Sequence, residues 1–441
     1  MKHFDREQDI CLAKFVGFSL IGIFVFFVPV SLGGKSSIPI DHLVSLLKAG
    51  MNPAYPYLLL LLAGFAVLSR LHRRDGQRRG DGLFFAQSLA GFLLCALCVL
   101  DLLPDLLRPA VLQAVNATGN ILCAIFVTAL FIPFLTEYGL VDFCAVLCRP
   151  IMRRVFLTPG SSAVIGVSAF LGNYSVGHVI SKHMYDEGYF TEKETLIIAT
   201  GFSTCSMGLM INLVNYMGLM DRWHMYVFMV LAVTFGTTIV VARLCPIRGR
   251  SSAYKEGVTP VEEETAQGNI LSAALSAGTT KAGQAPSLGA AMGIFLRRTL
   301  PMICEIAGVS MFVIPIGMLL ANNTGVFSCL GAVFLPLLRL MGLDMDAARQ
   351  TAQAVGVSLM EPVLAGVVSE GSVGSGLAAW IISVVPYSSI IFFAGFIPSL
   401  WKSGIPCKLY EMLLIWLERA AVGIILTGII YYLFSFAGWL P

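Results

Sequence analysis

Four polar clusters interrupt long apolar runs, and each carries side chains able to hold a solute or an ion. The first is Gly172-Asn173-Tyr174-Ser175, with His178 one helical turn beyond Tyr174. The second sets Ser358 just ahead of the pair Glu361-Pro362. The third runs from Gly201 through Ser203, Thr204, Ser206 and Gly208, and continues to Asn212 and Asn215. The fourth is Pro386-Tyr387-Ser388-Ser389. Carboxamides and hydroxyls donate and accept hydrogen bonds, while a carboxylate or an imidazole can also take up a proton. Glu361 is the sharpest of these, because an ionisable group at membrane depth is costly and usually has a functional partner. The other reading makes it a structural carboxyl, neutral or capped by nearby amides. Asn173 reads equally as a ligand and as a helix cap at a hairpin tip. His178 reads as structural or as a proton carrier. The Ser, Thr and Asn runs fit packing through small residues, but the neighbouring glycines and Pro386 favour unwound helix at a binding site.

Such clusters need elements that cross or enter lipid, and the composition supplies them. The 441 residues are 57% hydrophobic and only 12% charged, with a mean hydropathy of +0.81. Soluble domains carry about 25% charged residues, so a water-facing shell is missing. Apolar stretches of about 20 residues, the length that spans a hydrocarbon core, recur along the chain. The net charge of +3 is uninformative about nucleic acid, and no nucleic-acid partner is expected. The eleven cysteines lie mostly in apolar runs without metal-ligand spacing, and read as small buried residues rather than ligands or disulfides. No metal and no cofactor is expected beyond a coupling ion, a proton or sodium. The first apolar run has no small-residue cleavage site and reads as a retained helix.

The sequence predicts an all-α polytopic membrane protein with about nine spans, near 13–32, 55–71, 82–100, 119–136, 194–217, 223–243, 301–320, 373–399 and 417–438. Segments 139–155 and 326–341 read as amphipathic helices along the membrane. Segments 161–181 and 350–370 are apolar but broken by Gly, Pro or polar residues, and read as re-entrant hairpins. Basic residues mark cytoplasmic loops. They cluster at 70–79, at Arg149, Arg153 and Arg154, at Arg243, Arg248 and Arg250, and at Arg297 and Arg298. Placing all of them inside gives a cytoplasmic N-terminus and an external C-terminus. Residues 246–298, rich in Ser, Ala, Gly and Thr with acidic Glu262 to Glu264, read as a flexible cytoplasmic linker.

On either side of that linker the same order recurs: span, amphipathic helix, broken hairpin, span, span. The run Val167–Ser181 lies over Val355–Ser369 without gaps, with Asn173 opposite Glu361. The charge pattern gives the two halves opposite orientations. Together these predict an inverted-topology repeat, a hallmark of secondary transporters. The expected organisation is a three-helix scaffold at 1–115, repeats at 116–245 and 299–441, and the linker between them.

Enzyme signatures are absent: there is no HExxH, no G-x-S-x-G and no complete Walker A. The Gly34-Lys35-Ser36 run lacks the upstream glycine of a phosphate loop, Pro29 standing in its place. The segment from Gly33 to His42 reads as a structural turn before a short helix, or as a gate over an outer mouth.

The run Gly17–Pro29, the Gly34–Asp41 segment and the Gly172–His178 hairpin together resemble the YjiH-type family of bacterial inner-membrane proteins. That family is grouped with the Gate, or nucleoside-recognition, domain of nucleoside and ferrous-iron transporters. The resemblance covers most of the chain outside the linker. It implies a permease-like protein of the bacterial cytoplasmic membrane, with paired hairpins beside interrupted helices. The substrate-binding motifs of concentrative nucleoside transporters do not map residue by residue, so the resemblance speaks for architecture more than substrate. The leading expectation is a secondary transporter of a small polar solute, nucleoside-like by the resemblance, driven by protons or sodium and bound between the hairpins near Asn173 and Glu361. The alternative is a partner-dependent or non-transporting Gate-domain membrane component, and the partner expected for the chain is a second copy of itself or a second Gate-domain subunit.

Overall fold

The computed structural model describes residues 2–32, 35–72, 81–171, 174–202, 207–260, 269–371, 374 and 376–440. Its helices are α1 (Lys2–Phe27), α2 (Pro39–Met51), α3 (Tyr55–His72), α4 (Asp81–Val99), α5 (Arg108–Phe131), α6 (Pro133–Thr136), α7 (Leu140–Ile151), α8 (Ser162–Leu171), α9 (Tyr174–Asp186), α10 (Glu192–Gly201) and α11 (Met207–Tyr216). They continue with α12 (Trp223–Val241), α13 (Ile270–Gln284), α14 (Leu288–Asn323), α15 (Val326–Gly331), α16 (Leu335–Leu340), α17 (Met345–Ser358), α18 (Pro362–Ser369), α19 (Leu377–Ser388), α20 (Phe396–Ser403) and α21 (Leu409–Phe436). The only strands among the described residues are β1 (Val30–Leu32) and β2 (Lys35–Ser37), an antiparallel pair.

Six helical stretches among the described residues are long and apolar enough to cross a bilayer: Asp9–Phe27, Pro39–Leu71, Arg108–Phe131, Met220–Val241, Leu288–Asn323 and Leu409–Phe436. Each overlaps a span predicted from sequence, but several begin earlier. The last starts at Leu409 rather than 417, which places charged residues inside it. Helix α4 covers the predicted 82–100. Of the two remaining predicted spans, 194–217 contains α10 and α11, with residues 203–206 outside the described residues, and 373–399 contains α19, a non-helical stretch and the start of α20. The chain is a predominantly helical, multi-pass membrane protein.

The chain divides into two compact units. One comprises Met1–His42, Phe126–Met207 and Thr238–Thr299. Within it, α1 packs on α6 and α13, and α7 packs on α8 and α13. Phe18 stacks on Tyr138 with ring centroids 4.0 Å apart. Here the expected flexible linker is corrected. Residues 270–284 form α13, capped by Asn269, whose side chain accepts from the Leu271 amide at 3.0 Å. Ala274, Gly278 and Ala282 recur every four residues and are buried, so one face is almost flat. A Cβ on Gly139 would overlap the Gly278 carbonyl. Small residues let helix backbones approach closely, and the composition that reads as looseness is here a packing surface.

The same unit holds the Ser37–His42 turn. Ser37 donates to Asp41 at 2.8 Å, and the His42 ring bonds the Val30 carbonyl at 2.9 Å. That geometry is the structural turn before α2. Residues 250–255 lie along the connection between α9 and α10. The Glu192 and Lys193 amides donate to the Ala253 and Ser251 carbonyls at 3.2 and 3.1 Å. Arg250 pairs with Glu192 at 2.6 Å, and Lys255 with Asp186 at 2.7 Å.

The other unit comprises Leu43–Ile125, Gly208–Thr237 and Leu300–Pro441. In it α3 packs on α4, α17 packs on α15, α18 and α19, and α19 packs on α21. A Cβ on Gly91 of α4 would overlap the Gly308 carbonyl of α14, another close approach that only small residues permit.

Candidate functional site

In the second unit, two chain breaks carry the predicted polar residues. Helix α17 opens on Asp344, whose side chain accepts from the Ala347 amide at 2.8 Å. It stops at Ser358 because Pro362 cannot continue a helix and pushes the residue before it toward extended geometry. Glu361 is extended, with φ −157° and ψ 125°. Pro362 then opens α18, the position where its missing N–H is harmless. The predicted interruption of 350–370 is therefore present, at residues 359–361. Helix α19 ends at Ser388 and α20 begins at Phe396, which leaves a second break at 389–395.

The two breaks lie side by side. The Phe393 amide donates to the Leu359 carbonyl at 2.9 Å, and the Ala394 amide to the Met360 carbonyl at 3.0 Å. The Ile391 amide donates to the Ser389 carbonyl. Backbone polar groups at membrane depth must find partners within the protein, and these two irregular stretches supply each other. Glu361 sits at this junction, half-buried. Its carbonyl accepts the Leu364 amide at 3.0 Å, and its carboxylate stands at the positive end of α18, where an anion is favoured.

Most of the neighbouring hydroxyls and amides are turned onto their own helices. Ser358 donates to the Val355 carbonyl at 2.6 Å, and Ser388 and Ser389 both donate to the Val385 carbonyl at 3.1 and 2.8 Å. Asn212 donates to the Gly208 carbonyl at 2.9 Å. A hydroxyl so placed still offers a lone pair to a ligand, but its proton is committed. Tyr387 is fully buried and Asn215 half-buried. The structure thus gathers Ser358, Glu361, Tyr387, Ser388 and Ser389 on paired breaks, while Asn212 and Asn215 lie on α11.

Two features of this site were missed in the sequence. Arg419 of α21 is buried, with 1% exposure, and donates through Nε at 2.9 Å and Nη2 at 2.5 Å to the Ser388 carbonyl. The signal was a charge within an apolar run, masked by starting that span at 417. The second is a polar row beside α18. A Cβ on Gly366 would lie 2.9 Å from the Tyr216 ring. Asn120 hydrogen-bonds Tyr216, and its Oδ1 accepts from the Tyr55 hydroxyl at 3.3 Å.

In the first unit, the predicted interruption of 161–181 falls at residues 172–173, which lie outside the described residues. Helix α8 ends at Leu171, α9 begins at Tyr174, and the two pack together. His178 is fully buried, hydrogen-bonds the Ala199 backbone, and its ring lies 5.8 Å from that of Tyr174. It ties α9 to α10. Thr238 donates to the Gly201 carbonyl at 2.9 Å, at the end of α10. Asn173, Ser203, Thr204 and Ser206 lie outside the described residues, as does the side chain of Ser175. Among the described residues no group of three or more His, Cys, Asp or Glu side chains is placed to hold a metal.

Comparison with known proteins gives three findings. Over 99% of its length the chain is similar to an uncharacterized protein of Alkalihalophilus pseudofirmus, with 24% identity across 98% of that relative. It is also similar to CNTnw in an inward-facing substrate-bound state, with a TM-score of 0.42, 13% identity, and 99% and 97% of the two chains covered. A doubly substituted CNTnw in an outward-facing state gives a TM-score of 0.43 and 15% identity, over 98% and 92% of the chains. Residues 119–223, from within α5 to the first residue of α12, match the family described as Gate, nucleoside recognition. By that match residues 119–223 are similar to the Gate domain of the nucleoside-recognition family.

Proposed function

We propose that this chain is a secondary transporter that moves a small polar, nucleoside-like solute across a bacterial cytoplasmic membrane, driven by protons or sodium. The observation that carries the reading is the pairing of two helix breaks in one unit, with the Glu361 carboxylate at their junction. Interrupted helices within a membrane are tolerated where they are packed in protein or line a wet cavity. Their free ends and polar side chains then bind solute and ion. The Gate match at 119–223 supports the solute class. In this reading Glu361 faces the solute or the coupling proton, with Ser358, Tyr387, Ser388 and Ser389 beside it. Residues 116–245 and 299–441 act as inverted repeats, each with a re-entrant hairpin, and the N-terminus is cytoplasmic.

The test is uptake by the purified chain in liposomes, with tritiated uridine and adenosine under an imposed proton or sodium gradient. Gradient-dependent accumulation of either nucleoside is the expected result. Accumulation that requires a second protein would replace the reading with a partner-dependent component. No uptake of any nucleoside, with uptake of another small solute, would remove the nucleoside assignment.

A further inference from the structure

A broken helix leaves carbonyls at its C-terminal end with no partner from the next turn. That end carries roughly half a negative charge. In membrane transporters such ends are where unwound backbone takes up cations. Helix α19 ends this way at Ser388, inside a unit of apolar helices. The Val385 carbonyl is met by the Ser389 amide at 2.9 Å and by the hydroxyls of Ser388 and Ser389. The Ser389 carbonyl is met by the Ile391 amide. The Ser388 carbonyl is met by two N–H groups of Arg419.

Arg419 reaches this carbonyl from deep within a spanning helix. It lies about 15 Å along α21 from the helix start, and is 99% covered by protein. A guanidinium keeps its charge in any protein environment and presents its donors as a rigid fork. The helix is shaped for the approach. Gly423 follows Arg419 by one turn, and a Cβ there would press on the Ser388 hydroxyl at 3.2 Å. A larger residue would push α21 away from the end of α19.

We propose that the guanidinium of Arg419 is a built-in cation seated at the carbonyl end of α19, in place of an exchangeable sodium or potassium ion at that break. The inference concerns the site assigned above but rests on the contact between α19 and α21. It holds whether or not the chain carries nucleosides. Its consequence is that the α19 break keeps its shape without any added metal ion. A coupling ion, if the chain uses one, binds elsewhere.

The experiment is thermal unfolding of the purified full-length chain in choline chloride, sodium chloride and millimolar ethylguanidinium chloride at matched ionic strength, with ethylurea as the neutral control. The wild-type midpoint should be the same in choline and sodium. Arg419→Ala should unfold several degrees lower in choline and recover at least half the loss in ethylguanidinium, with none recovered in ethylurea. A sodium-dependent rise in the Arg419→Ala midpoint would support the seat further, since a purely steric role for Arg419 predicts no cation dependence. The proposal is overturned if Arg419→Met unfolds at the wild-type midpoint in choline, or if no cation raises the Arg419→Ala midpoint. Should Arg419→Ala prove too unstable to purify, Arg419→Lys and Arg419→Met decide together. A lysine variant that stays near the wild-type midpoint in choline while the methionine variant falls several degrees supports the seat, because the ammonium fills it, and equal losses in the two overturn it.

Discussion

At the scale of single residues, Glu361 differs from its neighbours. The hydroxyls around it have given their protons to carbonyls of their own helices, so they are poor candidates for a proton-coupled step. Glu361 stands half-buried at the break and is the one carboxylate among the predicted residues of this unit. If it carries the coupling proton, Glu361→Gln should abolish gradient-driven nucleoside uptake in liposomes while leaving counterflow exchange near the wild-type rate. Loss of both would assign Glu361 to solute binding or structure. Its singularity was legible because a carboxylate in an apolar run is costly. The orientation of Ser358, Ser388 and Asn212 was not legible, because a hydroxyl or amide that bonds its own helix leaves no mark on the sequence. Arg419 escaped for another reason. The hydropathy boundary of the last span was drawn too late, and a charge at a boundary reads as a snorkelling end rather than a buried contact.

At the scale of elements, the breaks themselves were readable from Gly and Pro, but their pairing was not. It joins residues 359–360 to 393–394 through backbone atoms alone, and nothing in the side chains encodes it. Ala394→Pro removes the amide that satisfies the Met360 carbonyl. It should destabilise the chain by about 1–3 kcal/mol, the range for a buried group left without its partner. Titration with sodium dodecyl sulphate would measure that loss, and Ala394→Ser, which keeps the amide, should stay near wild type. Helix α13 carries a similar lesson, since Ser, Ala and Gly suit both a loose linker and a tight helix face. Only the four-residue recurrence of Ala274, Gly278 and Ala282 tells them apart. The strap at 250–255 gives a pH-dependent prediction. Burial acts to raise the Asp186 carboxyl, but hydrogen bonds from Lys182 and Lys255 outweigh it and hold the group below its usual value. Its folded value lies below its unfolded one, so its contribution is present above the unfolded value and fades as pH falls through the folded value. The protection of the Glu192 and Lys193 amides from hydrogen exchange, taken relative to the intrinsic rate at each pH, should therefore fall at acid pH in wild type. In Asp186→Asn that protection should be low already at neutral pH, with little further change on acidification.

At the scale of the whole molecule, topology turns on the two interrupted segments. The basic clusters at 70–79, 149–154, 243–250 and 297–298 can all be cytoplasmic if α1, α3, α4 and α5 each cross. The segment of α10 and α11 must then cross outward and α12 inward. After α14 crosses outward, the segment of α19 and α20 must cross inward for α21 to end outside. Two of these nine crossings are thus assigned to helices that stop partway, and composition alone cannot say whether a stopped helix crosses or turns back. Fusions at the C-terminus decide the matter for the chain as a whole. Alkaline phosphatase joined after Leu440 should be active and green fluorescent protein joined there dark, while fusions after residue 78 should give the reverse. A fluorescent C-terminal fusion would make the number of crossings even. One of 194–217 and 373–399 would then enter and leave by the same face, and the opposite orientation of the two halves would fail with it.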